Sequence, residues 1–208
     1  DGEKAEASRA PGTFHLFLRS FSVQLSVSIN GKYAQDMERV MKKRPPTAVT
    51  LQFVLCGQAE LTASDFVAGR HRHPVLSGIV PTDPASGRLF IAFETHQSTG
   101  LAVHICGPFV PTVERESLDF VDAALRHWNE QLLVASGAVL RDIWDAEVEG
   151  VGRGCTGTGL PSSEYLDSAR HLLRSFSFHP TAPAGSVRQL LAQAFLARPD
   201  LPIPTTVG

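Results

Sequence analysis

An α+β fold, with a sheet backed by helices, follows from three observations. Apolar residues alternate with polar ones from Phe21 to Ile29; several short apolar runs follow; and after Arg115 the apolar positions recur every three and four residues. The resulting order is strand, helix, strand, strand, strand, helix, which segregates strands from the longest helix rather than alternating them. The 208 residues, 43% of them hydrophobic, suffice to bury a sizeable core.

Residues 1–12 are small, charged and Pro/Gly-containing, and read as a flexible lead-in. In "TFHLFLRSFSVQLSVSIN" the residues Phe21, Val23, Leu25, Val27 and Ile29 share one face of a half-buried strand that "NG" at 30–31 closes. "KYAQDMERVMKKR" then places Tyr33, Met37, Val40 and Met41 on one helical face, with Lys42, Lys43 and Arg44 near the negative end of the dipole and Pro45 and Pro46 as the stop. "TAVTLQFVLCG" is a second strand ending at Gly57. The polar stretch from Gln58 to Gly87 reads as a long surface excursion.

Two further strands, Arg88–Phe93 and Gly100–Gly107, are separated by the six-residue connector "ETHQST", which predicts a hairpin or bent meander. From Arg115 the positions Leu118, Val121, Leu125, Trp128, Leu132, Leu133, Val139, Leu140 and Ile143 predict a helix of up to ~30 residues, broken near Gly137. A Gly-rich connector follows. Ser and Glu in capping positions open a helix at "SSEYLDSARHLLRSF", "FHPTAP" breaks it, and "GSVRQLLAQAFLA" makes a last amphipathic helix before the Pro-rich "RPDLPIPTTVG". The predicted organisation is a lead-in (1–12), an α+β domain (13–148), a linker (149–162), a helical appendage (163–197) and a Pro-rich exit (198–208).

Charge and cysteine usage bound the function. Lys+Arg at 19 nearly balances Asp+Glu at 21, so there is no basic field for nucleic acid. No apolar run approaches the ~20 residues of a membrane span. Cys56, Cys106 and Cys155 are odd in number and far apart, which fits a reducing, intracellular and cytoplasmic setting better than a disulfide framework. The start lacks Met and a signal-peptide core, which predicts a piece excised from a longer chain.

Three motifs invite chemistry and have plainer readings. "GRGCTG" at 152–157 has dinucleotide-fingerprint spacing, but a helix precedes it and a proline follows, so a linker is expected. His71 and His73 in "RHRH" lack third and fourth metal ligands, and no resident metal is expected. Ser117 with His96, His104 or His127 has the residue types of a hydrolase without a Gly-flanked serine elbow. "PTVERESLDF" (111–120) is more informative by position. Thr112 is expected to cap the following helix, with Glu114 and Glu116 near its positive end, and this charged helix start is a complete reading on its own. An arginine at a helix mouth is equally suited to meet a phosphate.

The segment "RLFIAFETHQSTGLAVHICGPFVPTVERESLDFVDAALRHWNEQLL" resembles large fungal proteins grouped as the domain of unknown function three-six-eight-four, which carry very similar THQ-T-G and PTVERES-D segments. The likeness also takes in "LSVSINGKYAQDMERVMKKRPP" and "LLRSFSFHPTAPAGSVRQLLAQAF", so residues 14 to 196 are covered. The same region is similar, more distantly, to sacsin. In those families the segment follows an ATPase module of the type shared by the ninety-kilodalton heat-shock chaperone, gyrase and histidine kinases. The resemblance implies a mixed sheet like that of the ribosomal-protein-S-five-like second domain of this superfamily. It also implies a middle or transducer role, with Arg115 as a γ-phosphate sensor, Glu116 beside it, and Gln97 and Thr99 as secondary contacts. For Gln97 and Thr99 loop packing is the first expectation and contact the second. ATP and Mg would be bound only by an upstream domain, since no ATP-binding motif occurs here. The expected partners are that domain and client proteins, with neither nucleic acid nor membrane; the alternative is a structural or protein-interaction module without a nucleotide role.

Overall fold

A computed structural model describes residues 15–64, 79–153 and 161–205. The lead-in, His71 and His73, and residues 154–160 of the Gly-rich connector lie outside the described residues.

Strand β1 (Arg19–Ser26) alternates half-buried Phe21, Val23 and Leu25 with exposed serines and Gln24. It is shorter than the alternation predicts because Asn30 does not close a strand turn. Its side chain accepts the Tyr33 N–H at 2.8 Å and so caps helix α1 (Gly31–Met41). Helix α1 stops at Lys42, whose left-handed φ of 56° reverses the chain ahead of Pro45. Strand β2 (Ala48–Leu55) then runs antiparallel to β1 along its whole length, from Arg19 opposite Leu55 to Ser26 opposite Ala48. A short helix α2 (Gln58–Ala63) opens the stretch expected to be irregular.

The next three strands correct the expected meander. Strand β3 (Arg88–Ile91) turns at Ala92 (φ 63°) into β4 (Phe93–Ser98), so the expected connector is itself a strand. Its polar residues hid it: Thr95 and Gln97 face inward, fully hydrogen-bonded, where an apolar period would call for hydrophobes. The chain then crosses over the end of β3, and β5 (Val103–Cys106) lies parallel to β3 and antiparallel to β2. The result is a five-stranded mixed sheet in the order β1-β2-β5-β3-β4. Gly100 makes the crossover possible, since at φ 74° it lies where a Cβ would meet the His179 carbonyl at 2.4 Å.

One face of the sheet carries the core. Helix α3 (Ala123–Arg153) begins eight residues after the expected start. Asp122, not Thr112, caps it by accepting the Ala124 and Leu125 N–H groups at 2.8 and 3.1 Å. It also passes through Gly137 unbroken, because that glycine serves packing. A Cβ there would meet the Leu191 carbonyl at 2.5 Å, so its absence lets α5 (Ser186–Phe195) approach α3 at backbone distance. Helix α4 (Ser163–Ser175), capped by Ser162, completes the layer. Leu172, Phe176, Val187, Leu191 and Phe195 from the C-terminal helices join Leu51, Phe53, Leu89 and Ile105 of the sheet and Leu133 and Leu140 of α3 in one core cluster. Each such side chain contributes about 1.5–3 kcal/mol by leaving water. No helix among the described residues is long and apolar enough to cross a membrane.

His104 points to the other face of the sheet. Its Nδ1 accepts the Arg88 N–H at 3.0 Å, which leaves Nε2–H to donate to the Ile79 carbonyl at 2.8 Å. Burial is the main cause that lowers its pKa below 6.5; the Ile79 carbonyl and Glu94 oppose the shift, and Arg88 adds to it.

Two measurements test this packing. Gly137→Ala gains up to ~1 kcal/mol of helix propensity but forces α5 outward, and urea unfolding is expected to show a net loss of about 1–3 kcal/mol. For His104, the unfolded imidazole takes up a proton first, so the stability this group preserves is complete above about pH 6.5. It is lost as pH falls toward the lower folded value and does not decline further below it. Thermal unfolding between pH 7.5 and 5 should show that fall, and His104→Gln should flatten it.

Candidate functional site

Residues 108–119 form an ordered loop at the β4 end of the sheet, built on three buried amide and indole groups. Trp128 Nε1–H donates to the Pro108 carbonyl at 2.9 Å, and the next residue, Asn129, is wholly buried between the two legs of the loop. Asn129 Oδ1 accepts the Val110 N–H and its Nδ2 donates to the Val110 carbonyl, both at 2.8 Å, and to the Asp119 carbonyl at 3.0 Å. The legs themselves pair at Pro111 and Leu118. At the tip, Thr112 N–H donates to the Ser117 carbonyl at 2.8 Å and Arg115 N–H to the Thr112 carbonyl at 2.9 Å. The segment expected to begin a helix is therefore a closed turn. Sequence reasoning passed over Asn129 as a functional residue, although a lone amide within an apolar helical stripe is a readable signal of buried polar anchoring.

The loop is also fastened to the sheet. His96 N–H of β4 donates to the Glu116 carbonyl at 2.8 Å. Gln97, 0% exposed, has every hydrogen-bonding position of its amide filled. Its Oε1 accepts from Ser117 Oγ at 3.0 Å and from Ala184 N at 2.9 Å, while Nε2 donates to the Ser98 and Ala184 carbonyls at 3.0 and 3.2 Å. Ser98 N–H donates to the Ala182 carbonyl at 2.8 Å, so the 181–184 segment covers the remainder of this sheet edge. Thr99 is equally buried, with Oγ1 2.9 Å from the Val103 carbonyl and 3.1 Å from that of Leu101. Gln97 thus joins the loop to the sheet, whereas Thr99 holds the crossover.

Arg115 occupies the tip, exposed, with φ at 59°. Among the described residues its guanidinium has no hydrogen bond or ion pair. Its neighbours do not bind it: Glu114 is exposed, and the Glu116 carboxylate faces His96 Nδ1 at 3.9 Å. Left-handed backbone costs a non-glycine residue about 1–2 kcal/mol, and no contact of the arginine side chain offsets it.

The catalytic alternatives do not assemble among the described residues. Ser117 Oγ donates to Gln97 rather than to a histidine, and His127 packs edge-on against Tyr33 at 5.1 Å. No group of three or more metal-ligating side chains occurs among them. A cleft of about 510 Å³ lies elsewhere, lined by residues that include Arg19, Cys56, Glu60, Glu147 and His171. Arg19 is engaged there by both carboxylates. Burial, then Glu60, pushes the Cys56 thiol up to about 11 against the opposing pull of Arg19, so it stays protonated at neutral pH. His171 Nε2 is spent on the Cys56 carbonyl at 2.7 Å.

Replacing Gln97 with Leu strands Ser117 Oγ and the Ala184 N–H, while the Ala184 carbonyl keeps the Thr181 hydroxyl. Urea unfolding is expected to show a loss of at least about 2 kcal/mol, and trypsin should cut after Arg115 faster as the turn loosens.

A search of curated proteins and a search of solved structures each found no match. The family model described as "Protein of unknown function (DUF3684)" matches residues 3–207. With nearly its whole length covered, including the anchored 108–119 loop and the strands beneath it, this chain belongs to the DUF3684 family.

Proposed function

We propose that this chain is the middle, or transducer, module of a chaperone-like ATPase, with the sheet and helices of the ribosomal-protein-S-five-like second domain of that superfamily. It docks on an ATP-binding domain upstream in the same polypeptide, and Arg115 reaches the γ-phosphate of the ATP and Mg held there. Client proteins are the expected substrates of the closure it transmits.

The observation that carries this reading is an unpaired, exposed arginine in a left-handed backbone conformation where glycine would be cheaper. The fold gains nothing from that side chain, whereas phosphoryl transfer gains from a cation supplied by a second domain, because the charge is neutralised only in the closed state. Preorganisation is supplied by Asn129, Gln97 and the His96–Glu116 bond, which hold the tip before any ligand arrives. Gln97 then acts as a positioning residue. The Glu116 carboxylate lies 3.9 Å from His96 Nδ1 rather than on the Arg115 guanidinium.

A module with no nucleotide role is the second reading, and its support is apolar surface: Val113 is 93% exposed in the same turn, and Phe93 77% exposed at the β3–β4 tip. Steady-state ATP hydrolysis by the parent polypeptide separates the two. Arg115→Ala is expected to lower turnover on the order of tenfold with nucleotide binding retained; unchanged turnover would leave the interaction module. In the same experiment Arg115→Gly should lower turnover as much while raising stability by about 0.5–1 kcal/mol, which separates loss of the charge from loss of the fold.

A further inference from the structure

The two edges of the sheet are finished differently. At the β4 edge the N–H groups of His96 and Ser98 donate to the carbonyls of Glu116 and Ala182, both at 2.8 Å. At the β1 edge the backbone is open. Val27 N–H donates to the Thr47 carbonyl at 2.8 Å, which directs the peptide groups of that residue toward β2, and with them those of Leu25, Val23, Phe21 and Arg19. Backbone groups alternate in direction along a strand, so the N–H and C=O of Ser20, Ser22, Gln24 and Ser26 point away from β2. None of these four has a backbone partner on that side among the described residues.

A free edge is ordinarily guarded by lysine, proline or a bulge. Strand β1 has none of these, and its register with β2 runs unbroken over eight pairs. Its single charge, Arg19, stands at one end and is taken up by Glu60 and Glu147. The strand also has two distinct faces: Ser20, Ser22, Gln24 and Ser26 are exposed, while Phe21, Val23 and Leu25 on the other side are only half-buried. An occupant of this edge has to be an uncharged strand of similar length, with polar and apolar residues on the same two faces.

A second β1 meets each of these requirements. Run antiparallel about a two-fold axis at Val23, it sets Ser20 opposite Ser26 and Ser22 opposite Gln24 of the second copy, and reciprocally. All four outward residues then exchange both of their backbone hydrogen bonds. A two-fold at Ser22 instead would leave Ser26 opposite Leu18, outside the strand. The Val23 register sets Phe21 opposite Leu25 of the second copy, and Leu25 lines a groove of about 230 Å³ with Val27, Val49 and Leu132 among others, so apolar surface meets apolar surface. Arg19 falls opposite Val27, so no like charges face one another.

We propose that β1 is a dimerisation edge, along which two copies of this chain pair antiparallel over Ser20–Ser26 and join their five-stranded sheets into one. The 108–119 loop, fastened to β4, lies at the outer edge of each half, so the pairing is separate from any role of Arg115.

Sedimentation equilibrium of the full chain, from about 1 to about 100 µM, is expected to show a reversible monomer–dimer transition. Over the same range hydrogen exchange should slow at the amides of Ser20, Ser22, Gln24 and Ser26, while those of Phe21, Val23 and Leu25, already directed to β2, change little. Ser22→Lys with Gln24→Lys puts lysines opposite each other in both central pairs and should keep the chain monomeric throughout. These side chains are exposed and lie opposite Gln52 and Thr50 of β2, so the unfolding temperature should hold. Ser22→Lys with Gln24→Glu sets each lysine opposite a glutamate and should restore the dimer. A chain that stays monomeric at every concentration leaves the edge to a different protein and overturns the proposal. A dimer that the double-lysine variant leaves intact places the contact elsewhere and overturns it too. So do edge amides that already exchange slowly in the monomer, because another segment of the same chain then fills the edge. Should a variant unfold, the exchange pattern of the unmodified chain decides by itself.

Discussion

The packing of α3 along the sheet is the constraint to which every other element answers. At 31 residues the helix is about 46 Å long, longer than the strands it covers, and its buried stripe is mixed in character. Leu125, Leu132, Leu133 and Leu140 meet the apolar face of the sheet. Polar residues are buried within the same stripe, among them Asn129 between Leu125 and Leu132 and Arg141 after Leu140. Each of these polar groups must be paired, and each finds its partners in the backbone of an irregular segment. In this way one helix orders both the 108–119 loop and the 198–205 segment.

Irregular backbone held by buried side chains differs from an ordinary surface loop. A loop that bonds only to itself and to water can shift at small cost, whereas displacing the Asn129 or Gln97 partners leaves an unsatisfied buried amide. The tip around Arg115 is thus rigid at its base and open at its end. Such an arrangement holds a single exposed charge on an ordered base. The cleft around Arg19 is the opposite case: its arginine is taken up by Glu60 and Glu147 and its thiol stays protonated, so it has less chemistry to offer.

Close packing explains the places where a local rule was read correctly and still misled. Gly137 weakens a helix taken alone, and a break there is the natural expectation. Its real role is to remove a Cβ from the path of the Leu191 carbonyl, a fact about α5 that no residue near Gly137 records. The strand β4 was hidden for a related reason. Thr95 and Gln97 look like connector residues until the carbonyls of Leu89 and Ala184 are placed beside them, and only then does a polar residue become a good inward-facing one.

The sequence by itself determined the elements whose signals are local. Period-two apolar alternation marked β1, an apolar run ended by Gly57 marked β2, the three-and-four stripe marked α3, and Ser162 with its following acid marked the start of α4. The α+β class followed from their order, and the family from the motifs between 88 and 133. Only the tertiary structure decided that β3 and β5 are parallel neighbours and that "PTVERES" closes as a turn over Asn129 rather than opening a helix. The physical reason is common to all of these. Burial of apolar surface is written into periodicity, but a polar group is at home wherever its partner is, and the partners of Asn129, Gln97 and Arg141 lie up to 87 residues away in the chain.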